Sequence, residues 1–196
     1  LKHSKMKKII FVLSFSLIAF TSCKESKKTT ETKKEIEKEM PEAAMEVKTI
    51  SMALEPKSDS NVAGEVVFSQ KDGEVFMTAT MSGLTPGEHA IHLHETADCS
   101  AADGSSAKGH WNPTFKPHGK WGAEAGYHKG DIGNFMADEN GNATVEFNTD
   151  QWCIDCEDET MNILGKGVIV HQGVDDFTSQ PSGNAGARVS CAGVIE

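Results

Sequence analysis

Little in this chain suits a helical bundle, a membrane span or a nucleic-acid binder. Its one extended apolar run, Ile9 to Phe20, is too short to cross a bilayer. A single tyrosine stands beside 9 phenylalanines and 18 glycines, and the other apolar runs are short. That balance favours a loop-rich β protein over packed helices. No segment carries a convincing helical period, and no internal repeat is present. Basic residues are scarce: 19 Lys and Arg face 29 Asp and Glu, for a formal charge of −10. All four basic residues ahead of Cys23 (Lys2, Lys5, Lys7, Lys8) lie in a segment expected to be removed, which leaves 15 against 29, or −14. Such acidity argues against a nucleic-acid partner. It favours solubility and repels anions at long range.

What is present begins with an export signal, Met6-Lys7-Lys8 followed by the apolar run. Leu1 to Lys5 read as extra residues ahead of the start at Met6. The signal ends at Phe20-Thr21-Ser22-Cys23, which resembles a bacterial lipoprotein cleavage box, with Phe20 where a smaller aliphatic residue is usual. The resemblance implies lipidation of Cys23 and a protein anchored to a membrane rather than spanning it, in the periplasm or on the outer membrane. Residues 24–48 hold seven Lys and seven Glu and almost no large apolar side chain, so they cannot fold alone and read as a tether. The expected organisation is a leader and signal over 1–22, a charged tether over 23–46 and a folded domain over 47–196. Export implies an oxidising compartment. Beyond Cys23 four cysteines remain (Cys99, Cys153, Cys156, Cys191), an even set that suits disulfides.

Strand-like runs cover Thr49–Leu54, Val62–Phe68, Glu74–Met81, the stretch from His89, Ile132–Ala137, Thr144–Phe147, Val168–His171 and Arg188–Ile195. Lys71-Asp72-Gly73 and Leu84-Thr85-Pro86-Gly87 mark turns, and Asn140-Gly141 reads as the turn of a hairpin between the fifth and sixth runs. Two long loops, Thr96–His128 and Gln172–Ala187, interrupt the pattern. A loop as long as the first is functional when it belongs to a compact domain. The expected fold is therefore all-β: eight strands in a flattened barrel or β-sandwich with two long functional loops.

Chemistry concentrates in the histidines. Of eight, His3 lies in the leader and the other seven fall between His89 and His171. In His89-Ala90-Ile91-His92-Leu93-His94-Glu95 strand alternation puts His89 with Ile91 and Leu93 on the core face. His92 and His94 share the other face, looking outward, and can hold one metal ion between them. His89 is expected to be a hydrogen-bonded core histidine. The remaining ligand candidates sit in Gly109-His110-Trp111-Asn112-Pro113, Lys116-Pro117-His118-Gly119, His128-Lys129-Gly130-Asp131-Ile132-Gly133-Asn134 and Val170-His171-Gln172-Gly173-Val174-Asp175-Asp176. Gly183-Asn184-Ala185-Gly186-Ala187-Arg188 follows them.

These motifs, in this order, resemble the copper–zinc superoxide dismutase family over roughly Val62 to Ile195. That family is a known Greek-key, immunoglobulin-like β-sandwich, so the resemblance implies that architecture here. It implies copper at His92, His94, His110 and His171, and zinc at His110, His118, His128 and Asp131, with His110 shared. All-imidazole ligation suits copper, and three imidazoles with a carboxylate suit closed tetrahedral zinc. It further implies that Asp175 links His118 to His92, and that Arg188 draws the anion to the open copper position. The implied catalytic residues are His110, as proton donor, and Arg188. Cys99 and Cys191 match the family disulfide.

The implied activity is superoxide disproportionation, with superoxide as substrate and a monomer or homodimer as the assembly. Electrostatic steering is an established trait of the family. Here, however, Gln172–Ala187 is short and lacks the Glu/Lys cluster of better-known members, reading Phe177-Thr178-Ser179-Gln180-Pro181 instead. Cys153-Ile154-Asp155-Cys156 lies outside the family pattern. It reads as a local disulfide, a metal-delivery thiol pair or a redox pair, of which the disulfide is preferred. The rival to an enzyme is a copper/zinc store using His92, His94 and the Cys153/Cys156 pair.

Overall fold

The computed structural model describes residues 47–195; the leader, Cys23 and the tether lie outside them. Eight strands follow in order: β1 (Lys48–Pro56), β2 (Ala63–Lys71), β3 (Glu74–Ser82), β4 (Gly87–His94), β5 (Gly133–Ala137), β6 (Ala143–Thr149), β7 (Gly167–His171) and β8 (Arg188–Gly193). All paired neighbours are antiparallel, in the order β5-β4-β7-β8-β1-β2-β3-β6. The end strands β5 and β6 touch, so the sheet nearly closes into a flattened barrel. The all-β expectation is met. Among the described residues the only helical element is a three-residue 3₁₀ turn, Ser105–Ala107.

Alternation explains most of the barrel. In β3, Val75, Met77, Ala79 and Met81 face the core while Phe76 is turned out. Val66 and Phe68 of β2, Ile91 and Leu93 of β4, and Val168 and Val170 of β7 complete the interior. Burying each such side chain contributes roughly 1.5–3 kcal/mol, so these positions set which way each strand faces. Asp72 and Gly73, both at positive φ (55° and 83°), make the tight β2–β3 turn.

Two expectations need correction. His92 and His94 do not look out to solvent: every residue from His89 to His94 is buried. Ile91 and Leu93 enter the core as expected, but the His92/His94 face is covered by the two long loops, Lys108 of the first bonding His94 and Asp175 of the second bonding His92. Local alternation assigns faces; it does not report what covers them. Nor do β5 and β6 form a hairpin. The Asn140-Gly141 turn exists, with Asp138 N–H donating to the Asn142 carbonyl at 2.8 Å, but the strands then diverge. β5 pairs with β4 and β6 with β3. The turn docks on Leu84, whose N–H donates to the Gly141 carbonyl at 3.1 Å, and so bridges the two ends of the sheet.

The first long loop is stitched to β4 rather than free. Trp111 N–H donates to the Leu93 carbonyl (2.8 Å), Leu93 N–H to Gly130 (2.9 Å) and Gly130 N–H to Trp111 (3.0 Å). Loop residues flanking His110 and His128 are thereby fixed against the sheet.

Candidate metal centre

β4 carries His92 and His94 on one face, and the adjacent strand β7 ends at His171. His110 joins them through an isolated bridge to His94. One ring nitrogen from each of His92, His94, His110 and His171 lies within 4.8 Å of the others. A second group, His110, His118, His128 and Asp131, meets the same limit. His110 belongs to both, and all seven side chains are buried.

The nitrogens aimed into these groups are unpaired. His92 Nδ1, His94 Nε2, His110 Nε2, His118 Nδ1, His128 Nδ1 and His171 Nε2 are buried without a hydrogen-bond partner. A buried polar atom left this way is costly, and six converging on two points fit two metal ions. For five of the six rings the opposite nitrogen is held by the protein, His110 Nδ1 donating to Asp131 Oδ1 at 2.8 Å. His92 Nε2 and His118 Nε2 donate to Asp175 Oδ2 and Oδ1, each at 2.9 Å. His94 Nδ1 donates to the Lys108 carbonyl at 2.8 Å, and His171 Nδ1 to that of Gly186 at 3.4 Å. Such partners fix both tautomer and ring direction. Asp131 Oδ2 accepts from His128 N–H (2.7 Å) and Gly119 N–H (3.2 Å). His118 Nδ1 and His128 Nδ1 approach its two oxygens to 3.0 and 3.4 Å without hydrogen-bond geometry. Three imidazoles around one carboxylate are a zinc-type donor set.

Electrostatics separate the groups. Burial, reinforced by the neighbouring imidazoles and Arg188, holds His94 and His171 well below the ordinary histidine range. Burial likewise lowers His110 to about 4, against the pull of Asp131. These rings are neutral at pH 7 and keep lone pairs for a metal. Burial also opposes charge on His118, but Asp131 and Asp175 outweigh it and raise that ring to about 9. Both carboxylates, despite their burial, are held far below the usual range by hydrogen bonds, Asp131 from the His110 ring and the His128 N–H, Asp175 from the His118 and His92 rings.

His89 behaves differently. It is buried on the core face; its Nδ1–H donates to the His171 carbonyl at 3.0 Å, and its Nε2 accepts from the Thr85 hydroxyl at 3.3 Å. Both nitrogens are satisfied by protein, as expected for a core histidine.

A sequence profile of copper/zinc superoxide dismutases matches residues 62–195. The chain belongs to that family. A protein named superoxide dismutase [Cu-Zn] 1 from Aquifex aeolicus is 35% identical over 158 residues, 78% of this chain and 90% of that protein. Superoxide dismutase [Cu-Zn] 2 from Brassica juncea is 36% identical over 149 residues, 70% and 91% of the two chains. Among solved structures, a SOD-like protein from Bacillus subtilis superposes with a TM-score of 0.66 at 29% identity, covering 74% of this chain and 97% of that one. A double mutant of that protein reaches 0.67 at 30% identity, with the same coverage.

Within this superoxide dismutase fold, Cys99 and Cys191 are bonded, and so are Cys153 and Cys156. The first disulfide closes 92 residues and, by chain entropy, contributes about 4.6 kcal/mol. It packs on Ala107 and Ile169, steadying the 3₁₀ turn. On either side of that turn, the carbonyls of Gly104 and Lys108 accept from Arg188 Nη1 (2.7 Å) and Nη2 (2.6 Å). The Lys108 carbonyl thus serves both Arg188 and the ligand His94. Arg188 lies on a cleft of about 620 Å³ that reaches His94, His110, His128 and His171 but not His92, His118 or Asp131. Lys108 and Lys116 of the first loop line the same cleft, with Glu95 the one acid. Positive charge that Gln172–Ala187 lacks is therefore supplied from elsewhere.

Three residues of the centre had no role assigned from sequence. Gln180 clamps His118 by its backbone, Oε1 accepting from His118 N–H and Nε2 donating to its carbonyl, each at 2.9 Å. Asn134 clamps Asp175 in the same two-way manner, also at 2.9 Å. Gly183, at φ 68°, leaves room for Asp175: a Cβ there would lie 1.8 Å from Oδ1. Loop amides and glycines are common, and nothing local marks these. Asp176, by contrast, is exposed and caps its own loop, accepting from the N–H groups of Thr178 (2.8 Å) and Ser179 (2.7 Å).

Proposed function

We propose that the domain is a superoxide dismutase that converts superoxide to dioxygen and hydrogen peroxide, with copper held by His92, His94, His110 and His171 and zinc by His110, His118, His128 and Asp131. The observation that carries it is His110, a single ring belonging to both donor groups and open to the cleft that Arg188 lines. Bound copper would supply one-electron redox chemistry, and bound zinc a fixed positive charge. The chain's residues do the rest. Arg188, with both forks tied to carbonyls, presents its charge to an incoming anion at a fixed place. Lys108 and Lys116 add attraction at the mouth of an otherwise acidic protein. His110 Nε2, free to carry a proton when it has no other bond, delivers it to the reduced anion. Asp175 keeps His92 and His118 aimed while His110 changes protonation.

The same proposal places residues 1–22 as a leader and signal, 23–46 as a tether and 47–196 as the catalytic domain, exported and lipid-anchored through Cys23 to protect the cell envelope. The export reading is supported by the basic-apolar start of the sequence and by two disulfides, which persist in oxidising compartments. The test is metal content together with superoxide consumption on the purified protein. Anomalous scattering at the copper and zinc edges checks the two ligand sets. Full metal loading with no consumption of superoxide would assign the domain to metal storage instead.

A further inference from the structure

The excursion between β6 and β7 belongs to neither donor group, yet its first residues are built against one of them. Trp152 is fully buried, and its Nε1–H donates to the Lys129 carbonyl at 2.9 Å. Gln151 Nε2 donates to the Tyr127 hydroxyl at 2.8 Å, while Lys129 Nζ donates to Gln151 Oε1 at 2.9 Å. Residues on both sides of the ligand His128 are thus tied to two consecutive residues of the excursion. The Trp152 ring is itself locked, edge-on to Trp121 at 5.8 Å and against Phe147 at 5.0 Å.

Cys153, next in the chain, is bonded to Cys156. Its N–H donates to the Met161 carbonyl (2.8 Å) and its carbonyl accepts from Ile163 (3.0 Å). The returning segment therefore grips it from the other side. A disulfide spanning a sequence separation of 3 constrains the unfolded chain far less than one spanning 92, so global stability is a poor account of it. Asp155, Glu157, Asp158 and Glu159 crowd Cys156 in sequence and disfavour a thiolate, which weakens a metal-delivery or redox role.

We propose that Gln151 and Trp152, anchored by the Cys153–Cys156 disulfide, are positioning residues for the zinc half of the centre. They hold His128, through the backbone of Lys129 and the hydroxyl of Tyr127, where it retains the ion. The inference rests on zinc binding at His110, His118, His128 and Asp131.

The test is release of each metal from the full-length, copper- and zinc-loaded protein to a chromogenic chelator. It compares wild type with Gln151→Ala, with Trp152→Phe and with the double substitution Cys153→Ser, Cys156→Ser. Zinc release should speed up about tenfold in each variant, the loss typical when a ligand's supporting contacts are removed. Copper release should stay near the wild-type rate. Unchanged zinc release, or copper and zinc accelerating alike as they would from a loosened fold, overturns the proposal. Gln151→Ala and Trp152→Phe carry the test if the cysteine variant does not fold. Wild type holding no zinc overturns the ligand assignment and the proposal together. Wild type holding zinc as tightly as the variants overturns the proposal alone.

Discussion

The two halves of the metal centre share His110 but are held together by opposite means. The proposed copper group draws mainly on the sheet: His92 and His94 from β4, His171 from β7, whose facing residues pair in register. The zinc group draws on the first long loop, which has no regular structure from His110 to Asp131. There, backbone bonds tie only Trp111 and Gly130 to Leu93, and the remaining support comes from side chains: Gln180 on His118, Asn134 on Asp175, Asp175 on His118, and Gln151 with Trp152 on the neighbours of His128. A backbone ladder distributes the load over many bonds, so losing one contact moves little. A clamped loop concentrates it in a few amides and carboxylates. On the proposed assignment the copper half is thus the better supported, and the zinc half is expected to be the more fragile.

Substitutions can break or sharpen that contrast. The largest effect is expected from Gly183→Ala, whose Cβ would lie 1.8 Å from Asp175 Oδ1 and 2.7 Å from His118 Nε2 at a φ of 68°. Displacing that carboxylate should lower the melting temperature by the equivalent of about 3 kcal/mol and strip zinc first. Normal melting with full zinc would show that the packing around Asp175 yields easily. Asp175→Asn comes next, because an amide can accept from one of the two rings but presents N–H to the other. Zinc affinity should fall about ten- to hundredfold, and copper affinity less, since β4 still holds His92. Equal losses in a competition titration would erase the distinction between the halves.

Arg188→Ala should act on the open half alone. Losing a charge-assisted hydrogen bond to the anion, about 1.5–3 kcal/mol, predicts a rate constant lower by roughly tenfold or more, with both metals retained. Stopped-flow rates at low and high salt, unchanged from wild type, would remove Arg188 from the mechanism. The smallest effect is expected from Gln180→Ala. Losing one clamp, about 1 kcal/mol, should raise zinc release about fivefold and leave copper release alone. Faster copper loss would mean the loops also support the sheet-built half.

The contrast also divides what could be read from the chain. The strand-built ligands were visible as His92-x-His94 and as the strand end at His171, because alternation is a two-residue rule. The loop ligands His110, His118, His128 and Asp131 followed no periodicity and were reached only through their likeness to a family. Asp175 too came from that likeness, but the amide clamps were not legible at all. Gln180 meets His118 across 62 positions, and Asn134 meets Asp175 across 41. The Asn140-Gly141 turn misled for the same reason: its dipeptide is a local signal, whereas the partners of β5 and β6 are set by distant strands.

By itself the sequence determined where the strands run, which face of β4 bears metal-binding nitrogens, and that the domain is all-β. Each of these depends on neighbours along the chain. Only the tertiary structure decided that the His92/His94 face is covered, that Arg188 is gripped by Gly104 and Lys108, and that Gln151 and Trp152 meet the residues on either side of His128. Those contacts join segments whose proximity is set by the closing of the barrel, and no local pattern of residues encodes which loop will lie over which strand.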